Sequence, residues 1–328
     1  MLLLEKNGVC LSAGKEIFVD AAGVQEQNIL VTHAHSDHCR LTSSNSYIMT
    51  PQTLALASPK KNVNVQVKEF GEKFHVNGFD VTMHPSGHIL GSAQLRVANG
   101  VEAVITSDFK LQESLLLKPA EILPCEVLLI ETTFGLREFS FPPREQVYTE
   151  MAKWAKEKIA SGAFVVLAGY ATGKAQELTR FCNDYLSTVP LVHSGVFEKN
   201  LLAKKAGAKL GEFVELDHNL GDSNVLIIPP SLVNNFLVEA LSMQLGKKVE
   251  CAVATGWKRS RFRTFPLSDH ADFAQLCEYV KNAEPKLVLT HHGFDREFAS
   301  SVTKEFGIPA RPLSEASQKT LPECLNQA

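Results

Sequence analysis

No stretch of the 328-residue chain is long and apolar enough to cross a bilayer, because its hydrophobic runs are short and end in charged or turn residues. The seven cysteines, Cys10, Cys39, Cys125, Cys182, Cys251, Cys277 and Cys324, are odd in number and include no CxxC pair. That argues against both a disulfide framework and a thiolate zinc site. The opening Met1-Leu2-Leu3-Leu4 runs at once into Glu5 and Lys6 and lacks the regions of a secretory signal. The expectation is a cytoplasmic protein in a reducing compartment, with no membrane partner. An excess of positive charge is missing as well: 33 Lys+Arg stand against 36 Asp+Glu, for a net charge of -3. A chain basic throughout would attract nucleic acid by bulk electrostatics, so here any polyanion must be held by a local patch, by metal ions, or by both.

What is present is the composition of an ordinary globular protein, 45% hydrophobic and 21% charged. The length suits two modest domains, or one domain carrying an insertion. The first third reads as β-rich, with strands predicted at 16–21, 28–32, 63–70, 79–83, 101–106 and 127–130, separated by Gly, Asn and Pro signals. After Phe134 the character changes. Pro142-Pro143 opens a helix in which Val147, Met151, Ala155 and Ile159 recur at helical spacing. Strands at 163–168, 191–193, 225–228 and 249–254 then alternate with helices at 172–186, 198–210 and 232–245, the pattern of a parallel sheet built from βαβ units. A helix at 273–282, a strand at 286–290 and a last helix follow.

Thr32-His33-Ala34-His35-Ser36-Asp37-His38 places three imidazoles and a carboxylate within six residues, directly after a predicted strand. A helix would spread these side chains around its surface and a strand would split them between faces, whereas a loop leaving a strand end can aim all four at one point. Imidazole nitrogen and carboxylate oxygen suit Zn²⁺, with Mn²⁺ or Fe²⁺ as other occupants. Four ligands in one loop do not close two metal sites, so others are needed. Strand ends supply candidates: His88 or His84, Asp108, and His291 or His292. His75 and His218 have no such position, and His193 ends a predicted strand.

These residues resemble those of the metallo-β-lactamase superfamily, with Asp20 at the place of its first structural Asp. More specifically the chain is similar to the β-CASP group of nucleases. Ile130-Glu131-Thr132-Thr133-Phe134-Gly135 resembles that group's motif A, Leu267-Ser268-Asp269-His270-Ala271-Asp272 its motif B, and the segment 289–293 its motif C. Gly87-His88-Ile89-Leu90-Gly91-Ser92-Ala93 and Gly173-Lys174-Ala175-Gln176-Glu177 resemble other recurrent segments of the group. Within the group the chain looks like the compact DNA ligase-associated exonucleases and the archaeal mRNA 3′-end processing factors. The resemblance implies an α/β fold: a metallo-β-lactamase αββα sandwich, residues 1–138 and 257–328, interrupted by a β-CASP parallel α/β domain at 139–256. It favours His88 over His84 and His292 over His291. It implies two divalent metal ions, one held by His33, His35 and His88, the other by Asp37, His38 and His292, with Asp108 bridging. Asp37, Glu131 and His270 are the expected catalytic residues, His270 serving as a general acid oriented by Glu131.

Two further features point to a polyanionic substrate. Lys258-Arg259-Ser260-Arg261-Phe262-Arg263 offers four cations to backbone phosphates and one aromatic face for stacking. The turn Gly169-Tyr170-Ala171-Thr172-Gly173-Lys174 opens a helix whose amides, aided by Lys174, are expected to receive a phosphate. The expected partner is therefore a single strand of DNA or RNA, in DNA repair beside a ligase or helicase, or in RNA processing. Two other readings compete, a small-molecule hydrolase of thioesterase or lactonase type and a non-catalytic RNA-processing scaffold. The first needs neither Glu131 nor His270, and the second is expected to have lost metal ligands. The two adjacent C-terminal histidines can be told apart directly: His292→Ala is expected to lower bound metal as measured by elemental analysis, whereas His291→Ala is not. Equal metal content in the two variants would overturn the choice.

Overall fold

A computed structural model describes residues 1–59, 62–216, 223–258 and 261–315. Among them no helix is long and apolar enough to cross a membrane. The architecture is α/β with three sheets, and the chain divides into two compact units. The first comprises Met1–Leu111, Pro119–Ser140 and His270–Ala328, and the second Gln112–Lys118 and Phe141–Asp269.

In the first unit β1 (Leu2–Glu5), β2 (Val9–Ser12) and β3 (Glu16–Val19) form an antiparallel meander. Three parallel strands extend it to six: β4 (Asn28–Leu30), β5 (Ser46–Met49) and β6 (Asn64–Val67), with α1 (Pro51–Ala57) between the last two. A second sheet begins with β7 (Lys73–Val76), β8 (Phe79–Pro85), β9 (Ala93–Ala98) and β10 (Glu102–Ile105), paired antiparallel in sequence, and continues with β11 (Val127–Glu131) parallel to β10.

The second unit carries α2 (Arg144–Ala160), β12 (Phe164–Ala168), α3 (Lys174–Leu186), β13 (Leu191–Val192), α4 (Ser194–Lys205) and β14 (Val214–Glu215). It continues with β15 (Val225–Ile228), α5 (Asn235–Leu245), β16 (Val249–Ala254) and β17 (Arg263–Phe265). Its six strands are parallel, in the order β14-β13-β15-β12-β16-β17. The chain then returns to the first unit with α6 (Phe273–Ala283), β18 (Leu287–His291), α7 (Asp295–Phe306) and β19 (Ala310–Pro312), and the last two strands bring the second sheet to seven.

Side-chain alternation decides how the first unit packs. On β2 and β3, Val9, Leu11, Ile17 and Val19 join one core while Cys10 and Phe18 join another. On β10 and β11, Ala103, Ile105, Val127 and Leu129 share the first core with them, so the two sheets meet face to face. Val104, Leu128 and Ile130 point the other way and are covered by Leu276, Tyr279 and Val280 of α6 and Phe298 and Val302 of α7. Because β11 is buried on both faces, it reads as an unbroken apolar run rather than an alternating one.

Several predicted boundaries shift. The helix predicted at 198–210 runs from Ser194 to Lys205 because the His193 side chain accepts the Gly195 amide and caps it. The strand predicted at 63–70 stops at Val67. The helix predicted from 172 begins at Lys174, after Gly173 at φ +96. Strands at 2–5, 9–12 and 93–98 carry no clear sequence signal and owe their conformation to their pairing with neighbours.

The fold brings one set of loops to a single edge. β8, β10, β11 and β18 run in one direction, so the loops carrying His88 and Asp108 and the strand ends Glu131 and His291 all lie on the same side of the second sheet. The His88 loop is pinned at its far end, where the Gly91 carbonyl accepts the hydroxyls of Thr50 (2.7 Å) and Thr53 (2.9 Å). Gly91 sits at φ +80, and a Cβ there would lie 2.6 Å from the Thr53 amide nitrogen. Gly91→Ala is accordingly expected to destabilise the protein by about 1–3 kcal/mol through backbone strain and steric overlap. Thermal unfolding checks this; an unchanged Tm would mean that the loop relaxes without cost.

Candidate metal centre

Asp108 stands at the middle of the site. Its Oδ2 lies 3.4 Å from His33 Nε2, 3.5 Å from His88 Nε2 and 3.6 Å from His38 Nε2. His35 Nδ1 lies 3.1 Å from both His33 Nε2 and His88 Nε2. His33, His35, His88 and Asp108 thus offer ligand atoms that all fall within 4.8 Å of one another. A tetrahedron with arms of about 2.1 Å, the zinc–nitrogen distance, has edges of roughly 3.4 Å. The four donors match that spacing, so the residues present fit a divalent ion of zinc size.

The second set is more open. His38 Nε2 is 3.7 Å from Asp37 Oδ2, and the Asp37 side chain is 74% exposed. The His292 ring centre lies 5.8 Å from that of His38. His292 sits at φ +62, where the strand has just ended, and Gly293 follows at φ +60 with no room for a Cβ, which would lie 2.4 Å from the Thr132 carbonyl oxygen. Thr132 Oγ1 donates to the His292 carbonyl. The tight turn throws His292 out beside His38, while His291 stays half-buried on β18. Burial, with His292 and His38 as neighbours, lowers the His291 pKa to about 3.

Behind the donors lies a network that the sequence pattern does not reveal. Asp20 Oδ1 accepts the Thr32 amide at 2.8 Å, and Oδ2 accepts the Thr32 hydroxyl at 2.5 Å. The same Oδ2 lies 2.8 Å from His38 Nδ1, and Thr32 Oγ1 lies 3.0 Å from His33 Nδ1 and 2.7 Å from Ser107 Oγ. Since the Thr32 hydroxyl proton goes to Asp20, its lone pairs accept from His33. Both imidazoles then carry a proton on Nδ1 and turn Nε2 toward Asp108. Asp20 thus holds His38 directly and His33 through Thr32, and it lies close to both imidazoles. Other bonds fix the remaining loops. Ser86 Oγ donates to the Asp108 carbonyl (2.7 Å), and the buried Lys110 ammonium donates to the His88 carbonyl (3.1 Å).

Charge follows from the same geometry. Burial, with His38, His88 and His35 nearby, holds the His33 pKa well below its usual value. Burial pushes His38 down too, but Asp20, Asp108 and Asp37 together outweigh it and raise the imidazole to about 10. A divalent ion bound at these donors would compete with that proton for the imidazole.

Glu131, at the end of β11, is buried and accepts the Phe109 amide (3.2 Å), the Thr133 amide (3.1 Å) and His270 Nδ1 (3.0 Å). Burial would raise its pKa, but the charge and hydrogen bond of His270 and the two amides hold it below the usual carboxylate value. The His270 ring lies 4.7 Å from that of His88, and Asp108, Glu131 and His270 have ligand atoms within 4.8 Å of one another. His84 stands apart, 3.9 Å from Glu121, and burial lowers its pKa. His75 is exposed against Asp80, and His218 lies outside the described residues.

The expected phosphate-binding residues fare differently. Lys174 is a correction: its ammonium is buried and donates to Glu177 (2.7 Å) and Asp269 (2.8 Å), inside a network that includes Arg144 and Tyr148. A buried cation needs such carboxylates, and they take the place that a phosphate was expected to fill. Arg263 is exposed but lies over the rings of Phe265 (5.0 Å) and Trp154 (5.9 Å). Lys258 and Arg261 are exposed, and Arg259 lies outside the described residues.

Asp20→Asn replaces one carboxylate oxygen with an amide NH2, which sets a donor against a donor at either His38 Nδ1–H or the Thr32 amide. Metal affinity is expected to fall about 10–100-fold, as is usual when a residue that orients a metal-binding histidine is lost. Chelator competition checks this, and unaltered affinity would remove Asp20 from the orienting role.

Comparison with known proteins finds no matching family model. The chain is 32% identical over 318 residues to a probable DNA ligase of Opitutus terrae, covering 93% of this chain and 30% of that protein. It is 25% identical over 294 residues to RNase aCSPSF2 of Saccharolobus solfataricus, covering 73% of this chain and 58% of that one. The chain thus spans less than a third of the first relative's length and somewhat under three-fifths of the second's. A crystal structure of a protein of unknown function from Enterococcus faecalis has the same fold, with a TM-score of 0.64, 12% identity and coverage of 96% and 98% of the two chains. With the His/Asp cluster at the sheet edge and relatives of this kind along most of its length, the chain belongs to the β-CASP group of the metallo-β-lactamase superfamily.

Proposed function

We propose that the chain is a metal-dependent phosphodiesterase that hydrolyses a single strand of DNA or RNA. In this reading its architecture is a metallo-β-lactamase αββα sandwich carrying an inserted β-CASP parallel α/β domain. The observation that carries the proposal is the His270–Glu131 pair held beside Asp108 in the same unit as the metal donors. A thioesterase or lactonase needs the metal donors alone. A phosphodiester also has a leaving oxygen that must be protonated, and a positioned histidine meets that need.

His33, His35 and His88 would hold one divalent ion, and Asp37, His38 and His292 the other, with Asp108 shared. The donor set favours zinc, with manganese as the other occupant. Such ions, when bound, lower the pKa of water and offset the charge that builds on phosphate oxygens. The chain's own residues do the rest. Glu131 fixes His270 through Nδ1, leaving Nε2 to deliver a proton to the leaving oxygen. Glu131 is itself locked by two backbone amides, so the imidazole has no second orientation to adopt. Asp20 and Thr32 hold the Nδ1 atoms of His38 and His33 and so keep their Nε2 atoms facing inward.

The names of the relatives, a probable DNA ligase and an RNase, support a nucleic-acid substrate and leave DNA and RNA as alternatives. The first supports action beside a ligase in DNA repair, the second a part in RNA processing.

The test is cleavage of end-labelled single-stranded DNA and RNA by zinc- or manganese-loaded protein, with Asp37→Asn/His38→Ala as the inactive control. His270→Ala is expected to lower kcat by about 10²–10⁴ with bound metal unchanged. No cleavage of either strand by protein shown to hold its metals would sink the proposal.

A further inference from the structure

The second unit has a concavity of about 420 Å³ whose lining includes Tyr170, Val253, Thr255, Trp257 and Phe262. Its position follows from topology. β15, β12 and β16 are consecutive parallel neighbours, and the chain leaves their carboxyl ends as Pro229-Pro230, Gly169-Tyr170 and Thr255-Gly256-Trp257. The crevice outside the carboxyl ends of a parallel sheet is where open α/β folds take their ligands. The lining is unusual for a surface. Tyr170 is 62% exposed and Trp257 43%, so both present large aromatic area to solvent. Phe262 is half-buried against the core that holds Phe164, Val166 and Leu226, so its ring is seated. Lys258 and Arg261, both exposed, adjoin two of these aromatics in the chain.

We infer that this concavity is a base-stacking subsite for an unpaired nucleobase, with Tyr170, Trp257 and Phe262 supplying ring faces and Lys258 and Arg261 meeting the flanking phosphates. The occupant is specified by the combination: flat apolar rings suit an aromatic base of any sequence, and the adjoining cations suit its polyanionic backbone. A peptide or lipid tail would use the apolar lining without need of rings. This inference rests on the reading of the chain as acting on a single nucleic-acid strand. It gives that strand a contact in the second unit built from side chains rather than metal ions, and it replaces the role expected of Lys174.

The test uses the full chain stripped of metal by a chelator, with fluorescein-labelled oligodeoxythymidylate and an abasic oligonucleotide of the same length as probes. Trp257→Ala and Tyr170→Ala are each expected to weaken binding of the thymidylate about tenfold, within the range known for base–aromatic stacking, and to leave binding of the abasic strand unchanged. Trp257→Phe is expected to retain binding and Trp257→Leu to lose it. Because the chain has 2 tryptophans and Trp154 is buried, Trp154→Phe leaves Trp257 as the sole reporter, and its fluorescence is expected to be quenched by thymidylate but not by the abasic strand. Thermal unfolding of each variant separates lost stacking from lost folding. Unchanged thymidylate binding by folded Trp257→Ala, or equal binding by the Phe and Leu variants, would overturn the subsite while leaving the nuclease reading intact. Failure of the unaltered protein to bind or cleave any strand would overturn that reading itself.

Discussion

The crowding of Asp108 against His33, His38 and His88, three ring nitrogens within 3.6 Å of one carboxylate oxygen, is the constraint around which the first unit is organised. So many lone pairs in so small a volume repel one another unless protons or metal ions stand between them. The structure holds them in place from behind. Asp20 and Thr32 grip the far nitrogens of His38 and His33, Ser86 grips the Asp108 loop, and Lys110 grips the His88 loop. The two face-to-face sheets make these grips stiff, since each loop departs from a strand fixed by pairing and by burial of its apolar side chains.

The His270–Glu131 pair depends on the same frame. Glu131 is the last residue of a strand buried on both faces, and its carboxylate spends its remaining acceptor capacity on two backbone amides. A charged group this buried is tolerable only because every oxygen is satisfied, and that satisfaction is also what fixes the imidazole. Stability and chemistry are therefore served by one set of bonds. In the second unit the Arg144–Glu177–Lys174–Asp269 network shows the complementary case: its charges satisfy one another inside the protein, which removes Lys174 from service toward a ligand.

Much of this was legible in the residues. The alternation of strands and helices after Phe134 marks a parallel sheet, and such a sheet forms in the second unit. The boundaries were less legible where a side chain overrides periodicity, as His193 does by capping α4. The strands at 2–5 and 9–12 were not legible at all, because short segments gain their conformation from partners distant in sequence. Among cations, the sequence counts charges but does not see carboxylates facing them. Lys174 and Arg263 therefore look available in the chain, yet one is buried against acids and the other lies on aromatic rings.

From the chain alone came the metal loop, since three histidines and an aspartate within six residues after a strand converge through local geometry and need little from the rest of the fold. The remaining donors could be nominated only as strand-end histidines and acids, each weak by itself. Their convergence was decided by tertiary structure: residues 88, 108, 131 and 270 are far apart in sequence and meet because β8, β10 and β11 point the same way and His270 is drawn to Glu131. The setting of the two adjacent histidines is likewise a tertiary matter: the turn at His292-Gly293 packs on Thr132 and sets His292 beside His38. Local chemistry is written in local sequence, whereas the partners that orient, satisfy or occupy a side chain are supplied by the fold.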